Sequence, residues 1–131
     1  MSNHPKFGLR ETLGSVKYLS DRTPEMAFTG RAEGAFAELS KYRDGSIYVG
    51  YYSGDSEWDR HMKGDEIVMA IEGSTTIILR RPDGQERLEL GPSELVVVPR
   101  GTWHRFENSV HLKVMTVTPQ PTDHSLEEPG G

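Results

Sequence analysis

With 131 residues and no cysteine, this chain has the length for one hydrophobic core and no means of building a disulfide, a thiolate nucleophile or a cysteine-based zinc site. Its 20 acidic residues against 15 lysines and arginines give a formal charge of −5, which argues against nucleic acid and anionic membrane as partners, since both select a clustered basic surface. Residues 1–10 lack the apolar run of a signal peptide and no aliphatic stretch approaches the length of a membrane span, so a cytoplasmic location is expected.

Residues 1–40 read as an N-terminal extension, irregular or helical. Residues 16–19 suit an edge strand, whereas residues 30–40 place Phe36 and Leu39 three apart, a spacing that predicts a short helix with both side chains buried. From residue 41 to 119 the chain reads as turn-punctuated strands. Residues 46–52 are rich in Ile, Val and Tyr between Asp44-Gly45 and Ser53-Gly54, a strong strand signal. Residues 67–71 and 75–79 are two apolar runs broken at Glu72-Gly73, and Pro82-Asp83-Gly84 is a turn across which residues 87–90 pair back. Strands follow at residues 95–98, 103–107 and 112–118, until Pro119 and Pro121 end ladder hydrogen bonding. Seven or so short strands at this spacing imply an all-β barrel or sandwich. Residues 120–131, acidic and rich in small side chains, are expected to form a loosely packed, flexible tail.

Within that frame, residues 58–66 and 99–108 read as the two halves of a metal site. Alternate side chains of a strand share a face, so Asp59 and His61 point the same way, and a tight turn at Lys63-Gly64 brings Glu66 back beside them. His104 is the fourth donor, from a strand that follows a Pro and Gly turn. Oxygen and nitrogen donors of this kind suit a divalent metal such as Fe, Mn, Zn or Ni. Asp59 has a plainer reading as a solvated strand-edge charge beside Arg60. Parity extends the inward face from His104 to Phe106 and from Glu66 to Val68 and Ala70, an apolar lining that implies a small substrate. Tyr48 or Tyr51, depending on register, and Met115 are expected to complete the pocket wall. Trp58 and Trp103 alternate away from the donors, toward packing outside the cavity. His4, His111 and His124 belong to no motif and are expected at the surface, with His111 a candidate for the barrel mouth.

These residues resemble the two motifs of the cupin family, over residues 50–118. The first motif is a glycine, a His-x-His pair, a glutamate and a further glycine, and His61, Glu66 and Gly73 hold its last three places in register. The second is a Pro-x-Gly-x-x-His-x-x-x-Asn run, matched by Pro99, Gly101, His104 and Asn108. Asp59 stands where the first histidine usually is, Gly54 lies one residue closer than the usual spacing, and Ser93 replaces a glycine. The resemblance implies a small single-domain, cupin-type double-stranded β-helix, or jelly-roll barrel, with Asp59, His61, Glu66 and His104 as a variant ligand set.

Two function classes follow. The first is a metal-dependent enzyme of the dioxygenase, isomerase or lyase type, in which the ion polarises a small organic substrate or activates dioxygen at open positions. The second is a non-catalytic cupin module that binds a small molecule or metal. A homodimer is expected from the short barrel's exposed edge strands and outward tryptophans, with the N-terminal segment contributing.

Overall fold

The structure is a computed structural model that describes residues 5–130, so His4 lies outside the described residues. In chain order the elements are helix α1 (Leu9–Ser15), β1 (Leu19–Arg22), two 3-10 turns (Pro24–Phe28 and Glu33–Ala35), β2 (Phe36–Tyr42), β3 (Gly45–Gly54), β4 (Trp58–His61), β5 (Glu66–Arg81), β6 (Gly84–Leu90), β7 (Leu95–Val98), β8 (His104–Pro119) and β9 (Thr122–Ser125). No helix among the described residues is long and apolar enough to cross a membrane.

The chain folds as an all-β jelly roll, and the two longest strands make it one. Both β5 and β8 run for 16 residues and bend midway, β5 at Gly73 and β8 at Asn108 and His111, all with positive φ. A Cβ on Gly73 would lie 2.1 Å from the His111 carbonyl oxygen, so the two bends nest only because position 73 has no side chain. The apolar runs at 67–71 and 75–79, expected as separate strands, are thus two halves of one bent strand. On one side of the bends β3 pairs with the C-terminal half of β8, which pairs with the N-terminal half of β5 and, beyond it, β7. On the other side β9, β4, the start of β8, the end of β5 and β6 lie in sequence across a second sheet.

Inward-facing even residues of these strands fill the space between the sheets: Val68, Ala70, Phe106, Leu112 and Val114 pack with Tyr52, Ile77, Leu79, Leu90 and Val98. The strand parity read from the sequence therefore holds for Val68, Ala70 and Phe106, and it survives the bend of β8 into Leu112 and Val114.

Three expectations are corrected. The helix at 30–40 is absent; residues 36–42 form β2, antiparallel to β3, and Phe36 lies across from Gly50, where any Cβ would meet its ring at 2.6 Å. Cross-strand packing over a glycine outweighs the helical spacing of Phe36 and Leu39. Of residues 16–19 only Leu19 joins the edge strand; α1 precedes it, and β1 runs parallel to β3 through Leu19 and Arg22. The tail is not loose throughout. After Pro121 the chain re-enters the second sheet as β9, antiparallel to β4, with Thr122 opposite His61 and His124 opposite Asp59.

Candidate metal centre

A strand that carries functional side chains on one face needs its backbone fixed, and β4, only four residues long, is fixed from three directions. Ser56, fully buried, receives the Phe106 N–H on its hydroxyl at 2.8 Å and donates its own N–H to the Phe106 carbonyl at 2.9 Å. Asp59 pairs with His104 on β8, and β9 covers the opposite edge. His61, Glu66 and His104 then come together at the inner end of a cavity of about 310 Å³. All three are buried, at 5, 5 and 1% exposure.

Hydrogen bonds behind the imidazoles determine which ring nitrogen faces the centre. His104 Nδ1 lies 3.0 Å from the Thr102 carbonyl, which can only accept, so Nδ1 carries a hydrogen. Thr122 spends its hydroxyl hydrogen on Gln120 Oε1 at 3.0 Å, which leaves its oxygen to accept from His61 Nδ1, also at 3.0 Å. Gln120 in turn donates to the Tyr48 hydroxyl at 3.0 Å. Both rings therefore turn Nε2 toward Glu66 Oε1, at 2.9 Å for His104 and 3.4 Å for His61. Glu66 is aimed by its other oxygen, which accepts from the Thr118 hydroxyl at 2.7 Å; Thr116 stands 2.7 Å behind Thr118 and donates to it.

The result is a buried carboxylate oxygen with no hydrogen-bond partner, facing two imidazole nitrogens whose hydrogens lie on the far side of each ring. With neutral histidines three lone pairs converge, an arrangement that costs free energy unless a cation sits among them. Burial alone would push the Glu66 carboxyl up, but His104 and His61 hold it well below the usual carboxylate range. Burial likewise disfavours the His104 imidazolium, yet Glu66 outweighs it and raises that group above its ordinary value. A divalent ion removes the conflict without a proton. Two donors at roughly 2.1 Å from one ion lie about 3.0 Å apart at a right angle and about 3.4 Å at a tetrahedral one, the separations seen here. Two imidazoles and one carboxylate form the donor set of facial non-haem iron sites and of some catalytic zinc sites, both of which leave positions open.

Asp59 belongs to a different group. Its Oδ1 lies 2.7 Å from His124 Nδ1, and the same nitrogen lies 3.1 Å from Glu57 Oε2. Glu57, 3% exposed, is also paired with Arg22 Nη2 at 3.3 Å. Rings of Tyr52 and Phe36 flank that guanidinium at 4.6 and 5.1 Å. Burial and the neighbouring Glu57 push the Asp59 carboxyl up, to about 8, whereas Asp59 and Glu57 raise His124 to about 9. The two groups line one cavity: the triad at its inner end, the Arg22, Glu57, Asp59 and His124 wall beside it.

Of the pocket residues expected from parity, Tyr48 and Phe106 line this cavity. Val68, fully buried, packs in the core instead. Tyr51 faces the outside of the barrel, against the Tyr18 ring at 4.5 Å and under Lys113, because inward parity on β3 belongs to Tyr48 and Tyr52. Met115 lies on that outer face too, across from Val49 and Met69. Trp58 is buried outside the cavity with Arg105 over its ring at 5.8 Å, and Arg60 covers Trp103 at 4.6 Å. Glu57 was within reach of sequence reasoning, since it shares the parity of Asp59 and His61. Thr122 and His124 share a period of two after Pro121, but only the return of the chain to β4 gives that period meaning.

A family model for the cupin domain (Cupin_2) matches residues 51–118, just over half of the chain. Among curated proteins, the uncharacterized protein YdbB of Bacillus subtilis (strain 168) is 25% identical over 72 residues, 55% of this chain and 61% of YdbB, so the chain spans less than two thirds of that relative. A cupin-2 domain containing protein from Shewanella frigidimarina superposes with a TM-score of 0.55 at 22% identity, over 65% of this chain and 79% of that one. Hydroquinone 1,2-dioxygenase from Sphingomonas sp. TTNP3, solved with 4-hydroxybenzoate bound, superposes with a TM-score of 0.56 at 16% identity, over 70% of this chain and 67% of its own. At such identities these two structures speak for the fold alone.

Proposed function

The chain belongs to the cupin domain family, and on that footing we propose that it is a metal-dependent enzyme of the dioxygenase type acting on a small organic substrate. The observation that carries the reading is Glu66 Oε1, buried without a hydrogen-bond partner and faced by Nε2 of His61 and His104. His61, Glu66 and His104 would hold the ion, and iron is the metal their donor set suits best. A bound ion of this kind supplies Lewis acidity and one-electron redox chemistry at its open positions.

The chain's own residues do the rest. Thr102 and Thr122 fix the two rings, Thr118 fixes the carboxylate, and Phe36, Tyr52, Phe106 and Val114 give the cavity an apolar surface that excludes water from an apolar substrate. The cavity volume of about 310 Å³ limits that substrate to a single ring or a short chain. The hydroquinone 1,2-dioxygenases of similar fold motivate the choice of substrates for the test of oxygen chemistry.

The test is metal content followed by oxygen uptake. Protein produced without a histidine tag is loaded anaerobically with ferrous iron, and dissolved oxygen is followed with hydroquinone, catechol and 4-hydroxybenzoate. About one iron per chain with substrate-dependent oxygen consumption is expected. Iron retained with no uptake for any of the three rejects this dioxygenase reading and leaves Lewis-acid chemistry or simple ligand binding, and no retained divalent metal rejects the metal centre itself.

A further inference from the structure

The wall beside the triad is built with more care than anchoring a terminal strand requires. Three segments distant in sequence, β1, β4 and β9, each send a charged group to it. Glu57 is almost fully enclosed and is held from both sides, Oε1 by Arg22 and Oε2 by His124. Arg22 in turn has Tyr52 and Phe36 rings on it and cannot swing into the cavity without losing both contacts and its ion pair. The consequence falls on His124. Its Nδ1 is taken by Asp59 and Glu57, acid groups that favour the doubly protonated ring, and in that form the free donor is Nε2, on the opposite edge of the imidazole. The side chain is 39% exposed and lines the same cavity as the triad, which sets it at the mouth.

Charge decides what such a donor would meet. Arg22 offsets Glu57 in the wall, so that ion pair adds no net charge beside the ligand. At the inner end a divalent ion with Glu66 sums to +1, which favours a monoanion. We propose that His124 is a substrate-contacting residue, its Nε2–H donating to an anionic oxygen of a small, largely apolar organic acid that lies between the wall and the metal triad. The proposal rests on the metal reading above and adds the class of ligand. Asp59 and Glu57 act through His124, as the groups that fix which edge of the ring faces the ligand. Carboxylate, phenolate or enolate oxygens all meet the requirement; a neutral ligand of the same shape gains nothing from it.

Binding alone tests this, with no turnover needed. Protein carrying ¹⁵N-labelled histidine is loaded with zinc, its metal content is measured, and benzoate is titrated while the His124, His61 and His104 nitrogens are followed by long-range proton–nitrogen correlation. Benzyl alcohol serves as the neutral partner. Benzoate is expected to move the His124 Nε2 signal, and His124→Phe, which keeps a ring but no donor, should weaken benzoate binding roughly tenfold or more without changing benzyl alcohol binding or zinc content. His124→Gln, which restores a side-chain N–H, should recover part of the loss. If His124→Phe disrupts β9, the wild-type nitrogen shifts still decide. Benzoate binding that leaves His124 Nε2 unmoved, equal affinities in wild type and His124→Phe, or no benzoate binding to zinc-loaded protein overturns the proposal. Failure of the metal reading shows separately, as protein that takes up no zinc.

Discussion

Replacing Thr122 with valine isolates the contribution of β9 to the metal centre, because valine keeps the shape of threonine and removes only its hydroxyl. Two hydrogen bonds of 3.0 Å go with it: the one that accepts His61 Nδ1–H and the one that donates to Gln120. In the metal-free protein each is worth about 0.5–1.5 kcal/mol net, so a loss near 2 kcal/mol is expected, several degrees in melting temperature for a domain this size. The metal is hit harder in proportion. Without its acceptor the His61 ring is free to rotate or to carry its hydrogen on Nε2, where it faces Glu66 and blocks ligation. Removal of an outer partner of this kind typically lowers metal affinity about 10- to 100-fold. The assay is competition for zinc against a chromophoric chelator, with thermal melts by circular dichroism alongside. An unchanged zinc affinity in Thr122→Val that melts lower than wild type would show that β9 braces the barrel but does not orient His61, and the tautomer assignment would fall.

Asp59→Ala should keep metal, because Asp59 contacts His124 and not the triad, whereas His61→Ala, His104→Ala and Glu66→Gln should each lose it under one chelator challenge; loss in Asp59→Ala equal to that in Glu66→Gln would return Asp59 to the ligand set. Zinc affinity should rise with pH across the range above about 6.5, since His104 is raised by Glu66 and must shed its proton to ligate, with proton release visible as a buffer-dependent heat in calorimetry. For the metal-free protein the sign reverses: the His104 contribution is complete below about pH 6.5 and is lost as pH rises through its raised value, and the Glu66 contribution is present above about pH 4.3 and is lost only as pH falls through its lowered value, so melts should be highest between those limits. The outer face of the first sheet is expected to self-associate, since Ile67, Leu95 and Val97 are exposed on adjacent strands beside Met69, Met115 and Val117; Val97→Lys should shift light scattering toward the 14.7 kDa monomer, and a wild type that is already monomeric at high micromolar concentration counts against it.

The triad was legible in the sequence because each member sits in a short segment whose strand parity is set locally: Glu66 with Val68 and Ala70, His104 with Phe106, His61 two residues after Asp59. Turn residues between those segments then limited how they could meet. What sequence reading missed lies where local rules compete with distant pairing. Phe36 and Leu39 keep a helical spacing that the glycine at position 50 overrules, and nothing near residue 36 encodes that glycine's place across the strand. Tyr51 and Tyr48 have opposite parity on one strand, and either assignment satisfies the local pattern until β8 fixes the register. Residues 120–131 look like a solvated tail by composition, although Gln120, Thr122 and His124 line the cavity.

The same distinction explains Asp59. In strand order it occupies the place of a metal-facing residue, with its side chain on the cavity side of β4, and position alone would make it a ligand. Its neighbour across β9 is His124, however, and a carboxylate beside an imidazole at 2.7 Å gains a charge-assisted hydrogen bond without leaving the strand. Glu57 reinforces the choice, since two carboxylates two residues apart on one face repel unless cations divide them, and Arg22 and His124 do so. A carboxylate at this position therefore changes the cavity in two ways at once. It leaves three protein donors for an ion, one fewer than a four-ligand set would offer, and it builds beside them a wall that includes the His124 imidazole. Asp59→His should reverse both effects together: it offers a metal a fourth donor and removes the carboxylate that orients His124.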